Sequence, residues 1–231
     1  MTIAVIHQPD FLPHLAFFHR LLSVDLFVIL DDAQFVRGTR NAWQNRDKIK
    51  TLSGAEWLTV PVQKCPLGTP INAVNLADDT SWRDNNLDQI RRAYSEAPYY
   101  EQTMEEIYKL YKKEYEKLID INMGSIRMLL KLFDIDVKII FASNLGINSK
   151  SNERLAEILK NVGADRYLSG LGAKNYYDPL PFNRYGIKVI WQEFSHPVYP
   201  QLHGTFMPYL SSIDLLFNCG PKEGRQILEN I

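Results

Sequence analysis

The chain has 231 residues, of which 45% are hydrophobic and 23% are charged. These values are ordinary for globular proteins and exclude a disordered or fibrous protein, while the length allows one α/β domain with a sizeable core. The formal net charge of -1 gives no general attraction to nucleic acid or to an anionic membrane, so any anion site has to be local.

The N-terminal residues and the cysteines indicate the compartment. The stretch MTIAVIHQPD has neither the basic nor the apolar region of a signal peptide, and no apolar run approaches the ~20 residues that cross a bilayer. The two cysteines, Cys65 and Cys219, form no CxxC motif. We therefore expect a cytoplasmic protein with reduced thiols, no membrane span and no nucleic-acid partner.

A strand-helix-strand unit opens the chain. Residues 3–7 (IAVIH) and 26–32 (LFVILDD) are almost wholly apolar, which is typical of buried parallel strands. Between them, PHLAFFHRLLSVD carries apolar residues at helical spacing. The pattern predicts a parallel βαβ unit.

The pattern changes after Asp32. The stretches WQNRDKIK, EWLTVPV and INAVNL have period-two character and predict hairpin strands beside the main sheet. Residues 82–133 then predict a helical insert with a break at Ala97-Pro98, and its second helix runs from Tyr99 to Ile121. The tyrosine-rich part of that helix fits either the core of the insert or the face of a homodimer.

Strand and helix patterns alternate again in the last part of the chain. VKIIFAS, DRYLSG and KVIWQEF predict buried strands, SNERLAEILKNVG predicts a helix that Gly163 ends, and YLSSIDLLFN and EGRQILEN predict two closing helices. The order predicts a single α/β domain over 1–231 with a mostly parallel, layered, Rossmann-like sheet, a hairpin region and a helical insert.

Polar residues follow the predicted strands at the carboxyl ends, where parallel sheets bind ligands. After the first strand, HQPDFLPH supplies His7 as a candidate catalytic residue and Gln8 and Asp10 as candidate substrate ligands. The start of the next helix is a suitable position for phosphate. Alternatively, His7 only forms a hydrogen bond within its loop, and His14 only starts the helix.

The second predicted strand ends in two carboxylates. Asp31 and Asp32 could hold Mg²⁺, which prefers a few carboxylates together with phosphate oxygens and water. Further on, Gln34, Asn45 and Arg46 are candidate substrate ligands. The alternative is a solvated turn followed by a charged hairpin.

Two later loops carry the remaining candidates. Ser169, Gly170, Gly172 and Lys174 combine small residues with one ammonium group and resemble an anion cradle, although the spacing is not that of a P-loop and a simple tight turn is the alternative. In the loop after KVIWQEF, His196 and His203 are candidate general bases. The chain has neither a zinc-protease motif nor the G-x-S-x-G elbow of α/β hydrolases.

Five ordered blocks resemble the WbqC-like protein family. They are IHQPDFLPHLAFFHRLLSVDLFVILDDAQF, WQNRDKIK, WLTVPV, YLSGLGAKNYYD and MPYLSSIDLLFNCG, and they extend from His7 to Gly220. The resemblance implies a role in bacterial O-antigen and lipopolysaccharide biosynthesis, for which glycine transfer has been suggested in some members. His14 departs from the tryptophan expected at its position, so it is not treated as a catalytic residue of the family.

The opening unit also resembles nucleotidyltransferases and adenylate-forming ligases with an HxGH signature. FLPH keeps only the last histidine of that signature, and SGLGAK takes the place of a second phosphate motif. This resemblance is one of fold and implies a nucleotide-binding site.

We therefore expect a transferase that moves a small acyl or aminoacyl group onto a nucleotide-linked or lipid-linked sugar. ATP and Mg²⁺ are the expected cofactors if the transferred carboxylate is activated by adenylation, with Lys174 neutralising charge. The alternatives are a nucleotidyltransferase acting on a sugar phosphate and a non-catalytic sugar-nucleotide-binding protein.

Overall fold

The computed structural model of the protein describes residues 1–37 and 42–231. The strands are, in chain order, β1 (Ile3–His7), β2 (Leu26–Ile29), β3 (Arg46–Thr51), β4 (Gly54–Thr59), β5 (Lys138–Phe141), β6 (Arg166–Ser169) and β7 (Lys188–Trp191). The helices are α1 (Leu15–Leu21), α2 (Ser81–Tyr94), α3 (Tyr100–Lys112), α4 (Leu118–Leu132), α5 (Ser151–Asn161), α6 (Pro179–Arg184) and α7 (Ile213–Glu229).

The main sheet has five parallel strands in the order β5-β2-β1-β6-β7. From β1 the chain first adds β2 and β5 on one side, and later adds β6 and β7 on the other side. The strand order therefore reverses between β1 and β6, which is where open α/β sheets bind ligands. The predicted α/β fold with a mostly parallel, Rossmann-like layered sheet is confirmed.

Helices cover both faces of this sheet. On one face, Phe17 of α1 packs edge-on against Phe27 of β2, with ring centroids 5.4 Å apart. On the opposite face, Val28 packs in a second cluster with Leu159 of α5 and Phe182 of α6. Successive side chains of a strand point to opposite faces. Because both faces of β2 are covered, the strand is apolar throughout.

The hairpin region forms only in part as predicted. Strands β3 and β4 pair antiparallel, but the predicted strand INAVNL is wrong, because residues 71–73 form a 3-10 turn. The N–H groups of Ile71 and Asn72 donate to the carbonyls of Ala33 and Asp31 in the loop after β2. The second half of the segment forms only isolated antiparallel bridges, from Asn75 to Lys117 and from Leu76 to Val62, so no continuous strand results.

The predicted helical region contains α2, α3 and α4, and the break at Ala97-Pro98 is confirmed. A continuous helix from Tyr99 to Ile121 is wrong, because α3 ends at Lys112 and α4 begins at Leu118. The Asp120 carboxylate accepts a hydrogen bond of 3.3 Å from the Lys117 N–H and so caps the start of α4. The connecting residues reverse the chain direction.

The apolar face of α3 lies in the protein core. Met104, Ile107 and Leu110 are buried, and they belong to the same cluster as α1, α4 and α7. These contacts favour the core interpretation of the tyrosine-rich region over the dimer face. The homodimer stays a prediction.

The two predicted closing helices both form within the range of α7, and the non-helical residue Gly220 separates them with a kink. The φ angle of Gly220 is 74°, a left-handed conformation that favours glycine. Pro221 follows the kink and removes one backbone donor. None of the helices within residues 1–37 and 42–231 is long and apolar enough to cross a membrane.

Candidate functional site

The candidate site is the crevice between the carboxyl ends of β1 and β6. His7 ends β1, Ser169 ends β6, and Gly170 follows directly. Because the loop after β1 leads to α1 on one face and the chain after β6 leads to α6 on the other, the two loops separate above the sheet. This separation leaves room for a ligand at the reversal of strand order.

The loop from Gln8 to Pro13 is held in place by side chains from distant parts of the chain. Leu12 has a φ of 44°, a strained value for a side chain of this size. The loop backbone groups bond to the side chains of Asn122, Ser125, Ser211 and Ser212, at distances from 2.7 to 3.1 Å. These hydrogen bonds fix the loop conformation before any ligand binds.

His7 presents one ring nitrogen that is free to accept a proton. Its Nδ1 lies 2.8 Å from the carbonyl oxygen of Gln8, and a carbonyl can only accept, so Nδ1 carries the hydrogen and Nε2 has the lone pair. Burial, with help from the Arg20 charge, lowers the pKa of His7 to about 3. The imidazole is therefore neutral at physiological pH.

Asp10 lies next to His7 in an environment that favours the neutral carboxyl. Its Oδ2 is 3.7 Å from His7 Nδ1, and its side chain is 14% exposed. Burial raises the pKa of Asp10 to about 7, although the Arg20 charge acts in the opposite direction. The fully buried Asp47 has a pKa well above its ordinary value for the same reason, and Asp10 contributes to that rise.

Arg20 is the residue that the sequence analysis missed. It is 7% exposed, and among the described residues no carboxylate lies within ion-pair distance of it. Its Nε lies 3.4 Å from the Ala16 carbonyl of its own helix. One terminal nitrogen lies 3.1 Å from the position that a Cβ atom would take on Gly170. A buried guanidinium without a carboxylate is costly unless a ligand supplies the negative charge.

The histidine after β7 also reaches this region. His196 lies close enough to His14 to lower its pKa, although burial is the main cause of the fall to about 4. His14 Nδ1, His196 Nε2 and Asp47 Oδ2 are buried without a hydrogen-bond partner in the described part of the chain. Orphaned buried polar atoms at one place are typical of a site that a ligand or water completes.

The other predicted substrate ligands have mixed surroundings. Gln8 Oε1 accepts a hydrogen bond of 2.6 Å from Gln44, so this amide is part of the loop framework. Asn45 donates to the Val60 carbonyl at 3.0 Å, which is a structural contact within the hairpin region. The Gln34 side chain is exposed. The Arg46 guanidinium lies 4.3 Å from the centre of the Trp57 ring.

The residues of the predicted anion cradle differ in their exposure to solvent. Ser169 is buried, and Gly170 faces Arg20. Gly172 and Lys174 lie in an exposed 3-10 turn over residues 171–176. The structure therefore brings His7, Asp10, Gly170 and His196 to the crevice and leaves Lys174 on its outer rim.

His203 lies in a different part of the molecule. Its Nε2 is 2.6 Å from the Ala93 carbonyl at the end of α2, so this nitrogen carries the hydrogen. Lys50 lies close by, because it donates to the carbonyls of Gly204 and Thr205. These contacts favour a structural role for His203 in fixing its loop.

The two carboxylates after β2 are engaged by the protein itself. Asp31 accepts hydrogen bonds from Asn72 and from the backbone and hydroxyl of Ser143. Asp32 forms an ion pair with Arg154. Within the described ranges no group of three or more acidic, histidine or cysteine side chains could hold a metal ion. The residues present therefore do not fit the expected magnesium site.

Comparison with known proteins gives the family. An uncharacterized protein of Mycobacterium tuberculosis (strain ATCC 25618 / H37Rv), Rv1507c, is 30% identical over 222 residues, which cover 95% of each chain. No solved structure matches this chain with significance. The model of the WbqC-like protein family matches residues 8–226, a range that includes the loop after β1, Arg20 and Gly170. The chain belongs to the WbqC-like protein family.

Proposed function

We propose that the protein is a transferase that moves a small acyl or aminoacyl group onto a nucleotide-linked or lipid-linked sugar in bacterial surface-polysaccharide biosynthesis. The observation that supports it most is Arg20, a buried guanidinium beside Gly170 with no carboxylate within ion-pair distance in the described residues. Such a group is suited to the phosphate of an activated donor or of a sugar nucleotide.

His7 is suited to the proton transfer in this reaction. When an amine of the sugar attacks the activated carbonyl carbon, a C–N bond forms and the bond from carbon to the leaving oxygen breaks. The amine proton passes to His7 Nε2, which carries a lone pair. Burial and the Arg20 charge lower the pKa of His7 in the free protein, and a substrate phosphate at Arg20 would offset that charge and make the ring more basic. The leaving phosphate departs as an anion, and Arg20 stabilises its charge.

The remaining predicted residues have secondary roles in this proposal. His196 lies beside His14 at the rim and is a second candidate base. Lys174 is exposed on the turn after Gly170 and would approach the phosphate only once a substrate is bound. ATP stays a proposed cosubstrate for activating the carboxylate, and no step of the reaction is assigned to a metal held by Asp31 or Asp32.

The test combines binding with product analysis. The wild-type protein, Arg20→Leu and Arg20→Lys are titrated with inorganic pyrophosphate and with ATP by calorimetry. We expect wild-type binding, a loss of at least tenfold in Arg20→Leu, and partial retention in Arg20→Lys, which keeps the charge without the forked geometry. Equal affinities for the wild type and Arg20→Leu would contradict the proposal.

The product analysis identifies the reaction. Wild-type protein is incubated with ATP, glycine and a UDP-linked amino sugar, and mass spectrometry detects the mass gain of an amide. His7→Gln replaces the imidazole ring with an amide, which is polar but cannot accept the proton. This variant should therefore bind ATP normally and form at least 100-fold less product. Product formation at the wild-type rate by His7→Gln would exclude the proposed base.

A nucleotidyltransferase is the second candidate. His14, at the start of α1, favours it, because FLPH keeps the last histidine of the HxGH signature, with which such enzymes bind phosphate. Release of pyrophosphate with a sugar phosphate and a nucleoside triphosphate, without an amide, would identify this activity. Binding of a sugar nucleotide without any turnover would indicate a binding protein.

A further inference from the structure

A separate cavity lies at the same edge of the sheet as the crevice. Its volume is about 300 Å³, which is at the lower end of the ~300–1,000 Å³ typical of ligand pockets. The walls come from the end of β2, the start of α5 and the turn after β6. The residues that line it are Leu30, Ala33, Ser151, Asn152, Arg154, Leu155, Ala173 and Tyr176.

Two backbone hydrogen bonds connect the cavity walls to the crevice. Leu30 donates to the His7 carbonyl at 2.8 Å, and Ala173 donates to the Gly170 carbonyl at 3.1 Å. The cavity is therefore next to the two loops that hold His7 and face Arg20. A ligand with its phosphate at Arg20 has this cavity beside it.

The cavity combines apolar walls with a few polar atoms. Leu30, Leu155 and the exposed ring of Tyr176, which is 82% exposed, offer flat or apolar surface. The ion pair between Asp32 and Arg154 leaves Asp32 Oδ1 and Arg154 Nε buried without a hydrogen-bond partner among the residues that the structure describes. Arg154 lines the cavity, and Asp32 is its ion-pair partner outside the lining.

The wall that carries Tyr176 is held in place before any ligand binds. Asn152 at the start of α5 donates a hydrogen bond of 2.8 Å to the Tyr176 carbonyl. The exposed side chain therefore extends from a fixed backbone. An aromatic ring of this exposure gains free energy when a planar ligand covers it.

We propose that this cavity binds the base of a nucleotide. A nucleobase is planar, fits between apolar walls, and has acceptors on its edge that suit the side chains of Arg154 and Asn152 in the cavity wall. The inference rests on the proposed function only for the position of the phosphate at Arg20. It assigns the sugar substrate or the activated donor to the nucleotide-linked class instead of the lipid-linked class.

The test compares ligands with and without each part of a nucleotide. Adenosine and uridine contain the base without phosphate, ribose 5-phosphate contains the phosphate without a base, and AMP and UMP contain both. Binding is measured with the wild-type protein, with Ala173→Trp, which fills the cavity from its exposed rim, and with Asn175→Trp. Asn175 lies on the same exposed turn but does not line the cavity, so it is the matched control.

We expect AMP or UMP to bind at least tenfold more tightly than ribose 5-phosphate. This gain should disappear in Ala173→Trp and persist in Asn175→Trp. Equal affinities for nucleotides and ribose 5-phosphate in the wild type would overturn the assignment. An equal loss in both tryptophan variants would overturn it as well.

Arg20→Leu separates this inference from the proposed function. If the cavity binds the base, Arg20→Leu weakens ribose 5-phosphate and nucleotides but leaves adenosine or uridine binding unchanged. A second outcome is that a nucleoside binds, Ala173→Trp abolishes this binding, and ribose 5-phosphate does not bind. That outcome supports the cavity assignment and contradicts the anion site at Arg20. Binding of ribose 5-phosphate alone overturns the cavity assignment and supports the anion site.

Discussion

A terminal nitrogen of Arg20 lies 3.1 Å from the position that a Cβ atom would occupy on Gly170. The absence of a side chain at Gly170 is therefore what allows the guanidinium to approach the end of β6. Gly170 has an ordinary φ of -72°, so the backbone conformation does not require glycine there. A side chain at this position would instead crowd the Arg20 guanidinium.

A larger residue at Gly170 should weaken anion binding. In Gly170→Val, the added methyl groups displace the guanidinium, and we expect the affinity for pyrophosphate to fall about tenfold, which corresponds to ~1.4 kcal/mol. Calorimetry measures the change. In the Arg20→Leu background the same substitution should have no further effect on affinity, and an additive loss in the double variant would contradict the direct contact.

Replacement of Arg20 by leucine should raise stability while it removes binding. A buried charge without an ionic partner costs free energy, and an apolar side chain of similar size removes that cost. We expect the free energy of unfolding of Arg20→Leu to be about 1 kcal/mol higher than that of the wild type. Urea denaturation without ligand measures it, and a clear loss of stability would indicate that Arg20 holds the fold together.

Anion affinity should decrease as the pH rises through about 7. Burial raises the pKa of Asp10 to about 7, so the carboxyl is neutral below that pH and its negative charge competes for Arg20 above it. His7 and His14 have pKa values of about 3 and 4, so neither ring changes charge in this range. Burial raises the pKa of Asp47 well above its ordinary value, and Asp10→Asn keeps Asp47 in both proteins that are compared.

The affinity for pyrophosphate is measured from pH 6 to 8 for the wild type and for Asp10→Asn, and the two are expressed as a ratio. Because the titration of pyrophosphate itself affects both proteins equally, it cancels in this ratio. We expect the ratio to fall several-fold with rising pH. A constant ratio would show that Asp10 does not titrate beside Arg20.

Loss of the Asn122 amide should destabilise the loop after β1. Its Nδ2 donates to the Pro9 carbonyl at 2.8 Å and to the Gln44 carbonyl at 2.6 Å, and the side chain is fully buried. Asn122→Ala leaves two buried carbonyls without this donor, and we expect a loss of ~2–4 kcal/mol in the free energy of unfolding. Exposed Asn183→Ala is the control, and an equal effect of both would exclude a role in the loop.

The kink in α7 should not tolerate a side chain. In Gly220→Ala, the new Cβ atom would lie 2.5 Å from the Tyr99 ring, and the φ of 74° is itself unfavourable for alanine. We expect a loss of at least ~2 kcal/mol in the free energy of unfolding. Adding Tyr99→Ala should restore the share of the lost unfolding free energy that comes from the clash. The share that comes from the backbone strain should remain, and a double-mutant cycle separates the two.

The sheet could be predicted because its strands carry a local signal. β1 and β2 are buried on both faces and read as continuous apolar runs, so the parallel arrangement followed from short stretches of sequence. His7, Asp10 and Gly170 are predicted as candidates because they lie at or just after the carboxyl ends of strands. A strand over 71–76 does not form because the backbone hydrogen bonds of this segment are divided between the loop after β2, the residues after β4 and the start of α4, which local periodicity does not contain.

The surroundings of the other candidates depend on contacts between distant residues, which the sequence does not show. The partners of Asp31 and Asp32 are Ser143 and Arg154, which are 112 and 122 residues away in the chain. Arg20 looks like an ordinary polar position in an amphipathic helix, and only the packing shows that it is buried. The one available signal was its position in FFHRLL, where it is directly followed by two leucines.

The pairing of β1 with β6 also has a consequence for how the protein is made. Thr2 at the start of β1 donates to the Asp165 carboxylate, 163 residues later in the chain. Chains are synthesised from the N-terminus, and contacts of high sequence separation form late in folding. A ribosome therefore has to release most of this chain before Arg20 and Gly170 can meet. An anion site built from Arg20 and Gly170 can therefore form only after the chain has been synthesised at least as far as Gly170.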